Sequence, residues 1–291
     1  MIPLPRALVL ALGFYFGIPV VQISGTLQGQ TAPTDSILAI AHTLFTEAGL
    51  LANQGHQDEA ESKFQRVLDI REQALGLDHP DVALTLHNLG FIYNAQGRYA
   101  EAEPLLRRAL IIREAALGPQ HLEVALTLNS LAFTYGVRSR YEEAEPLYER
   151  ALAIDEIVLG PNHLEVAHVL SNLGMLYDDL DRYIEARSVY ERVLAIRETV
   201  LGLGHPDVAD ALINLASLYH HQELYAEAIP LYRRSLDIRE VEFGPEHSDT
   251  GLALENLILA CELFFALPYI VQEQQSITAP ESMTVLCRPS P

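Results

Sequence analysis

The chain has 291 residues, of which 49% are hydrophobic and 20% charged, a balance typical of a soluble protein with a sizeable core. Its formal net charge is −20 at pH 7. Because phosphate contacts need clustered Lys and Arg, this acidic composition argues against nucleic acid as a partner and against docking on anionic membranes.

The first 36 residues differ in composition from the rest of the chain. Arg6 precedes the uncharged apolar run Ala7–Val21, and small residues follow at 24–26. This order predicts a cleavable signal peptide over 1–25, with an uncleaved N-terminal anchor or a cytosolic hydrophobic helix as alternatives. The polar stretch 26–36 predicts a linker. We therefore expect an exported protein (periplasmic, extracellular or membrane-tethered), and a cytoplasmic protein is the alternative.

From residue 37 onward, one sequence motif returns at a fixed interval of 42 residues. Its first copy, LGLDHPDVA, begins at Leu75, and later copies begin at Leu117, Leu159, Leu201 and Phe243. An unbroken period of this kind predicts a solenoid, here with five units over 37–246. Each unit contains two apolar patterns of helical spacing separated by a short break, which predicts helix, turn, helix.

Large and small residues keep fixed positions in these units. In the second repeat, 79–120, the marked positions are Leu86, Leu89, Gly90, Tyr93, Gly97, Tyr99, Ala102, Leu106 and Ala109. This pattern resembles the tetratricopeptide repeat, whose usual unit has about 34 residues. The longer unit is similar to the variant found in kinesin light chains and many bacterial signalling scaffolds. The resemblance implies an all-α, right-handed α-solenoid of stacked antiparallel helix pairs.

The repeat pattern decays at the C-terminal end. A sixth unit begins at His247 and loses the pattern after Leu259. We expect a partial sixth repeat over 247–267 that forms a capping helix, then an irregular or disordered tail over 268–291; a truncated or frame-shifted longer array is the alternative. An apolar terminal helix favours self-association at this end. The two cysteines, Cys261 and Cys287, either form one disulfide or remain unpaired thiols.

The sequence offers little support for catalysis. One histidine recurs in each unit, at His79, His121, His163, His205 and His247. Zinc ligands must converge within about 2.0–2.3 Å of one ion, whereas one histidine per repeat places each on a different step of the solenoid. We therefore interpret these histidines as residues that set the start of each first helix. The motifs HExxH, GxxxxGK[ST], GxSxG and CxxC are absent. We predict no enzyme activity, cofactor, metal site or small-molecule substrate.

The predicted function is a non-enzymatic scaffold that binds an extended peptide or partner segment in a concave groove lined by the first helices. The resemblance implies that a row of asparagines beside Leu89 and its equivalents in the other repeats holds bound peptide. The alternative is that these amides bond within the solenoid. The predicted binding residues are Asn88, Asn129, Asn172, Asn214, Asn256, His87, Phe91, Asn94, His168, Met175 and Asp178. By helical phase, the same face should also carry Asp179, Asp210, Ser217 and His220.

The charge of these first helices constrains the partner. They carry no Lys or Arg, and the nearest basic residues lie at the turns. Because ionised donors are what hold acidic ligands strongly, we expect a neutral, basic or largely apolar protein segment and not an acidic C-terminal tail. The alternative function is a regulatory or sensor repeat arm of a larger signalling protein, truncated from its effector domain.

Overall fold

The computed structural model describes residues 32–267 and 285–287, which form α-helices and no β-strand. The eleven helices are α1 (Ala32–Asn53), α2 (Gln57–Leu75), α3 (Pro80–Ala95), α4 (Tyr99–Leu117), α5 (Leu122–Val137), α6 (Tyr141–Leu159), α7 (Leu164–Asp179), α8 (Tyr183–Leu201), α9 (Pro206–His221), α10 (Tyr225–Phe243) and α11 (Ser248–Ala266). The predicted all-α class is confirmed. The predicted signal segment lies outside the described residues. Of the linker predicted over 26–36, residues 26–31 lie outside the described residues, and 32–36 belong to α1.

Odd-numbered helices are the first helices of the repeats and even-numbered ones the second helices. Within a repeat the two helices pack against each other in α1 with α2, α3 with α4, α7 with α8 and α9 with α10. A second helix also packs against the next first helix in α2 with α3, α4 with α5, α8 with α9 and α10 with α11. The chain divides into two compact units, Met1–Leu147 and Tyr148–Pro291, called here the first unit and the second unit.

A histidine caps the first helix of each repeat from the second repeat onward. The His79 Nδ1 atom accepts a hydrogen bond from the Asp81 backbone N–H at 3.1 Å. The same bond recurs at His121, His163, His205 and His247. It satisfies one of the backbone N–H groups that a helix start leaves without a partner. The predicted role of these histidines at the helix starts is therefore confirmed.

The turn inside each repeat needs a left-handed residue. Gly97 provides it at a φ of 73°. In the later repeats the position is held by Ser139, Asp181 and Glu223, with φ of 57°, 56° and 59°. A left-handed conformation costs a residue with a Cβ about 1–2 kcal/mol. The fold keeps one turn geometry and accepts this strain.

Small residues on the first helices let the paired helix approach closely. A Cβ on Gly90 would lie 2.7 Å from Leu106 Cγ, and one on Gly174 would lie 2.5 Å from the Tyr190 ring. In α11 the equivalent position is Ile258, which is 46% exposed. Its side chain would prevent a second helix from approaching α11 as α4 approaches α3.

An arginine in the last turns of the second helices links them to the next first helix. Its Nη1 atom donates to the backbone carbonyl ten residues later, in Arg71, Arg113, Arg197 and Arg239. Arg113 is 1% exposed and donates to Glu123 O at 3.1 Å and to Thr127 Oγ1 at 2.6 Å. These bonds fix the junction between successive repeats, and sequence reasoning did not identify them.

A disulfide between Cys261 and Cys287 holds the described C-terminal residues against the second unit, with a Cα–Cα distance of 5.9 Å. Leu286 and Cys287 pack on the core of that unit, and Arg233 Nε donates to Leu286 O at 2.8 Å. The disulfide alternative is therefore the one the structure adopts. Part of the tail expected to be irregular covers the core; 268–284 and 288–291 lie outside the described residues.

Candidate functional site

On α3 and α5 of the first unit, the face that the first helices leave accessible is mainly apolar. Its half-buried or exposed residues, the first-unit face, are Leu84, Phe91, Leu126, Ser130, Phe133 and Val137. The equivalent positions of α1 hold His42, Thr46 and Gly49. Helices α3 and α5 touch, and Phe133 meets the ring of Tyr99 edge-on at 6.4 Å between centroids. Such a surface offers contact to apolar side chains and no charged group.

The predicted amides of the first unit are directed inward. Asn88 is 5% exposed, and its Nδ2 atom donates to the Leu84 carbonyl of its own helix at 2.8 Å. Asn94 joins the two first helices, because its Oδ1 atom accepts from Thr134 Oγ1 at 3.0 Å. Asn129 is buried as well and has a bonding partner. Asn94 therefore links α3 to α5, whereas the bond from Asn88 to Leu84 stays within α3.

The buried histidine of the first unit is electrically neutral. His87 is 4% exposed, and its pKa lies well below the ordinary value, first because of burial and second because Arg113 is nearby. An uncharged imidazole in this position adds no positive charge to the first-unit face.

The second unit presents polar groups on the same face of its first helices. Its half-buried residues, the second-unit face, are His168, Asn172, Met175, Asp210, Asn214 and Ser217 on α7 and α9. Asn256 has the equivalent place on α11 and is half-buried too. Within the described part of the chain, the amides of Asn214 and Asn256 have no hydrogen-bond partner, whereas Asn172 has one. Within the described residues, the amides of two asparagines of the row are therefore half-buried and unbonded.

The charged groups near the second-unit face are partly compensated. Asp178 Oδ2 lies 2.8 Å from His221 Nδ1, and Asp210 accepts from Arg239 at 2.5 Å. Burial, with Arg197 as the second cause, lowers the pKa of His168 to about 4. Burial also lowers the pKa of His220, with His221 as the second cause. At neutral pH these two imidazoles are uncharged donors and acceptors.

The structure divides the predicted site residues into two groups. Asn88, Asn94, Asn129 and His87 are buried, whereas Phe91 and the predicted residues of the second unit keep some exposure. Sequence reasoning missed Leu84, Leu126, Phe133 and Val137. The helical spacing could have identified them, because Leu84 lies seven residues before Phe91, close to two helical turns, and so shares its face of the helix. The 42-residue period then places Leu126 and Phe133 on the same face.

Within 32–267 and 285–287, no group of three or more His, Cys, Asp or Glu side chains is arranged to hold a metal ion. In that same part of the chain, none of the helices combines the length and apolar character needed to cross a membrane.

The sequence profile of the tetratricopeptide repeat matches residues 39–110, 81–156, 123–199 and 207–263. Because these ranges span well over half of the chain, the protein belongs to the tetratricopeptide repeat family. Proteins of this family generally mediate protein–protein interaction and act as non-enzymatic scaffolds. A search of curated protein sequences found no match.

Solved structures show the same fold at low sequence identity. The nearly identical TPR-like repeats of a Podosopora anserina kinesin light chain match with a TM-score of 0.60 and 24% identity, covering 74% of this chain and 99% of that one. BtubC (BKLC) from P. vanneervenii gives 0.57 and 20%, covering 90% and 96%. The apo form of RapI gives 0.59 and 15%, covering 85% and 81%. The predicted kinesin light chain-like fold is confirmed.

Proposed function

We propose that this chain is a non-enzymatic scaffold that binds an extended segment of a partner protein on its first-helix faces. The observation that supports this most is the pair of half-buried amides, Asn214 and Asn256, that have no hydrogen-bond partner among the described residues. A side-chain amide both donates and accepts, which suits the alternating N–H and C=O groups of an extended backbone.

The repeat spacing also suits an extended ligand. Packed helices lie about 8–10 Å apart, and an extended chain advances roughly 3.3 Å per residue. An asparagine on each successive first helix would therefore meet the ligand backbone at about every third residue. In the second unit, Asn172 and Asn214 occupy equivalent positions on α7 and α9, which touch each other.

The chemistry of the two faces defines the proposed ligand class. The first-unit face offers Leu84, Phe91 and Phe133 to apolar side chains. The second-unit face carries the Asp210 carboxylate, whose charge Arg239 partly compensates, and the first helices carry no Lys or Arg. A segment that is neutral or basic, with apolar residues, fits both faces, whereas an acidic tail fits neither.

We also propose that the protein is exported. Two observations support this: the basic and apolar start of the sequence at Arg6 and Ala7–Val21, and the disulfide between Cys261 and Cys287. Disulfides persist mainly in oxidising compartments. Fractionation of the source cells should recover the disulfide-bonded form outside the cytoplasm; recovery of reduced protein in the cytoplasm would contradict this.

The binding proposal is tested by selecting random 12-residue peptides displayed on phage against the full-length chain. We expect enrichment of neutral or basic peptides rich in apolar residues. The enriched peptides should lose binding to the Asn172→Ala, Asn214→Ala, Asn256→Ala triple variant. The control is Asn162→Ala, which changes an exposed asparagine in the loop before α7. Enrichment of acidic peptides, or equal binding by the triple variant and the control, would overturn the proposal.

A further inference from the structure

The last first helix, α11, exposes the side that the other first helices bury. In the four preceding repeats, one position of this side is at most 9% exposed and is held by His87, Asn129, Ser171 and Ile213. In α11 the same position is Glu255, which is exposed. The buried Gly90 of α3 corresponds to Ile258, which is 46% exposed. This side of α11 is therefore left open within the described part of the chain.

In a complete repeat, this side of the first helix receives other helices. Gly90 lies against α4, because a Cβ on it would be 2.7 Å from Leu106 Cγ. Asn94, one turn further along α3, bonds to Thr134 of α5 at 3.0 Å. The equivalent of Asn94 in α11 is the exposed Glu262. The open side of α11 is therefore the surface on which the repeat architecture stacks helices.

A row of ion pairs between successive second helices ends at α10 with one carboxylate unmatched. Arg192 Nη2 of α8 lies 2.6 Å from Glu156 Oε1 of α6. Arg234 Nη1 of α10 lies 2.6 Å from Glu198 Oε1 of α8. The next glutamate of this row is Glu240, which is half-buried and has no ion-pair partner among the described residues. Glu240 therefore faces the place that the second helix of a further repeat would occupy.

The charge of this surface discriminates between possible occupants. Glu255 and Glu262 also lack an ion-pair partner within the described residues, and α11 carries no Lys or Arg. Two copies that met through α11 would therefore bring like charges together. Residues 268–284, which follow α11, contain two Glu and no Lys or Arg, so their charge does not complement the surface either. A basic helix of another protein does complement it.

The end face, as we call this surface, consists of four residues of α10 and α11, namely Glu240, Glu255, Ile258 and Glu262. We propose that it docks one α-helix of a partner protein, with Arg or Lys toward the glutamates and Ala or Gly opposite Ile258. The small residue is needed because the sizes are exchanged: α3 has Gly90 against Leu106 of α4, whereas α11 itself has the large residue. With that exchange, the two helix axes can approach to about 8–10 Å.

The probe is a peptide with the sequence of α4, Tyr99–Leu117, which is the second helix of a complete repeat. It carries Arg108, the equivalent of Arg192 and Arg234 in the row of ion pairs. Leu106→Ala supplies the small residue, and a lactam bridge between positions 111 and 115, both exposed in α4, holds the peptide helical. Fluorescence anisotropy measures its dissociation constant with the full-length, disulfide-bonded chain. We expect saturable binding of one peptide per chain.

The charge pairing is tested by exchange. Glu240→Arg should weaken binding of the probe by about tenfold or more, since a like charge replaces an opposite one. A second probe that also carries Arg108→Glu should bind the wild type poorly and recover its binding on Glu240→Arg. The control is Glu242→Arg, which makes the same charge change at an exposed glutamate two residues later. This control should bind the first probe like the wild type.

The size matching is tested in the same way. A probe that keeps Leu106 should bind the wild type about tenfold more weakly than the Leu106→Ala probe, because Ile258 and Leu106 compete for the same space. Ile258→Gly should reverse this preference, since it restores the arrangement of α3 and α4. If Ile258→Gly fails to fold, the exchange of charges at Glu240 still decides the outcome.

The proposal is overturned if the Leu106→Ala probe shows no saturable binding, or if Glu240→Arg and Glu242→Arg affect it equally. Sedimentation velocity of the chain alone tests the second copy as occupant. A dimer that Glu240→Arg dissociates would assign the end face to self-association and overturn the proposal. A large loss of stability in Ile258→Asp, measured by urea unfolding, would show that the face is already covered within the chain and would overturn it as well.

Discussion

The accessible faces of the first helices differ between the two compact units. Leu84 and Leu126 in the first unit correspond to His168 and Asp210 in the second, although the helices repeat with the same 42-residue period. The first-unit face on α3 and α5 is mainly apolar, and the second-unit face on α7 and α9 is mainly polar. The terminal first helices depart from this division, because α1 exposes His42 and Thr46 whereas α11 exposes Leu252 and Leu259. Packing determines which positions are buried, but it leaves the chemistry of the accessible positions free to vary from repeat to repeat.

The asparagine row shows the same contrast. Asn88 is buried and bonds to its own helix, whereas Asn214 is half-buried and has no partner among the described residues. One residue type at one position therefore bonds within its own helix in the first unit, whereas in the second unit we propose that it binds a ligand. Repetition of a motif does not imply repetition of its role.

The largest expected effect concerns the arginine links of the two units. Arg113 bonds to a carbonyl and to the Thr127 hydroxyl, whereas Arg197 has Ala211 in place of that threonine. We expect Arg113→Met to lower the free energy of unfolding by about 3 kcal/mol, since it leaves buried groups without their partner. Arg197→Met should cost only about 1–2 kcal/mol. Urea titration followed by circular dichroism measures both, and a larger loss for Arg197→Met would contradict the assigned contacts.

The next effect belongs to the second unit, where a disulfide closes the end of the array. Cys261 and Cys287 are 26 residues apart in sequence. Reduction should lower the stability of this end by roughly 2–3 kcal/mol, because the unfolded chain regains loop entropy. Hydrogen exchange should accelerate in α10 and α11 and remain unchanged in α3 and α4. Cys287→Ser should reproduce the effect without reductant, and unchanged exchange in α11 would contradict the role of the disulfide.

A smaller effect separates the inter-helix turns. The first unit has Gly97 in the left-handed position, and the second unit has Glu223 at a φ of 59°. We expect Glu223→Gly to raise the free energy of unfolding by about 0.5–1 kcal/mol, since relief of backbone strain exceeds the entropy cost of glycine. Gly97→Ala should lower it by about 1 kcal/mol for the opposite reason. Thermal unfolding of both variants checks the signs; destabilisation by Glu223→Gly would show that its side chain makes a compensating contact.

The fold could be predicted from the sequence because its period is exact. Each copy of the linking motif fixed a helix end and a helix start, and the histidine at each start proved to be the cap. The role of the asparagines was harder to predict. Whether an amide turns toward its own helix, as in Asn88, depends on the residues packed around it and not on its position in the repeat.

Two features could not be read from local patterns. The pairing of Cys261 with Cys287 depends on where the chain returns after α11, and spacing alone does not determine that path. The replacement of the linking arginine by the buried Asp155 becomes visible only when the arginine links of the other repeats are known. The start of α1 within the predicted linker was missed because its first turns carry no repeat markers.

The different roles of Asn88 and Asn214 can be tested with two single variants and one peptide from the phage selection. The dissociation constant is measured by isothermal titration calorimetry for the wild type, Asn214→Ala and Asn88→Ala, with urea unfolding of each. We predict that Asn214→Ala weakens binding by about tenfold, as expected for a lost pair of hydrogen bonds, and leaves stability unchanged. Asn88→Ala should lower stability and leave the dissociation constant unchanged. The opposite pattern, weakened binding in Asn88→Ala with none in Asn214→Ala, would contradict the account.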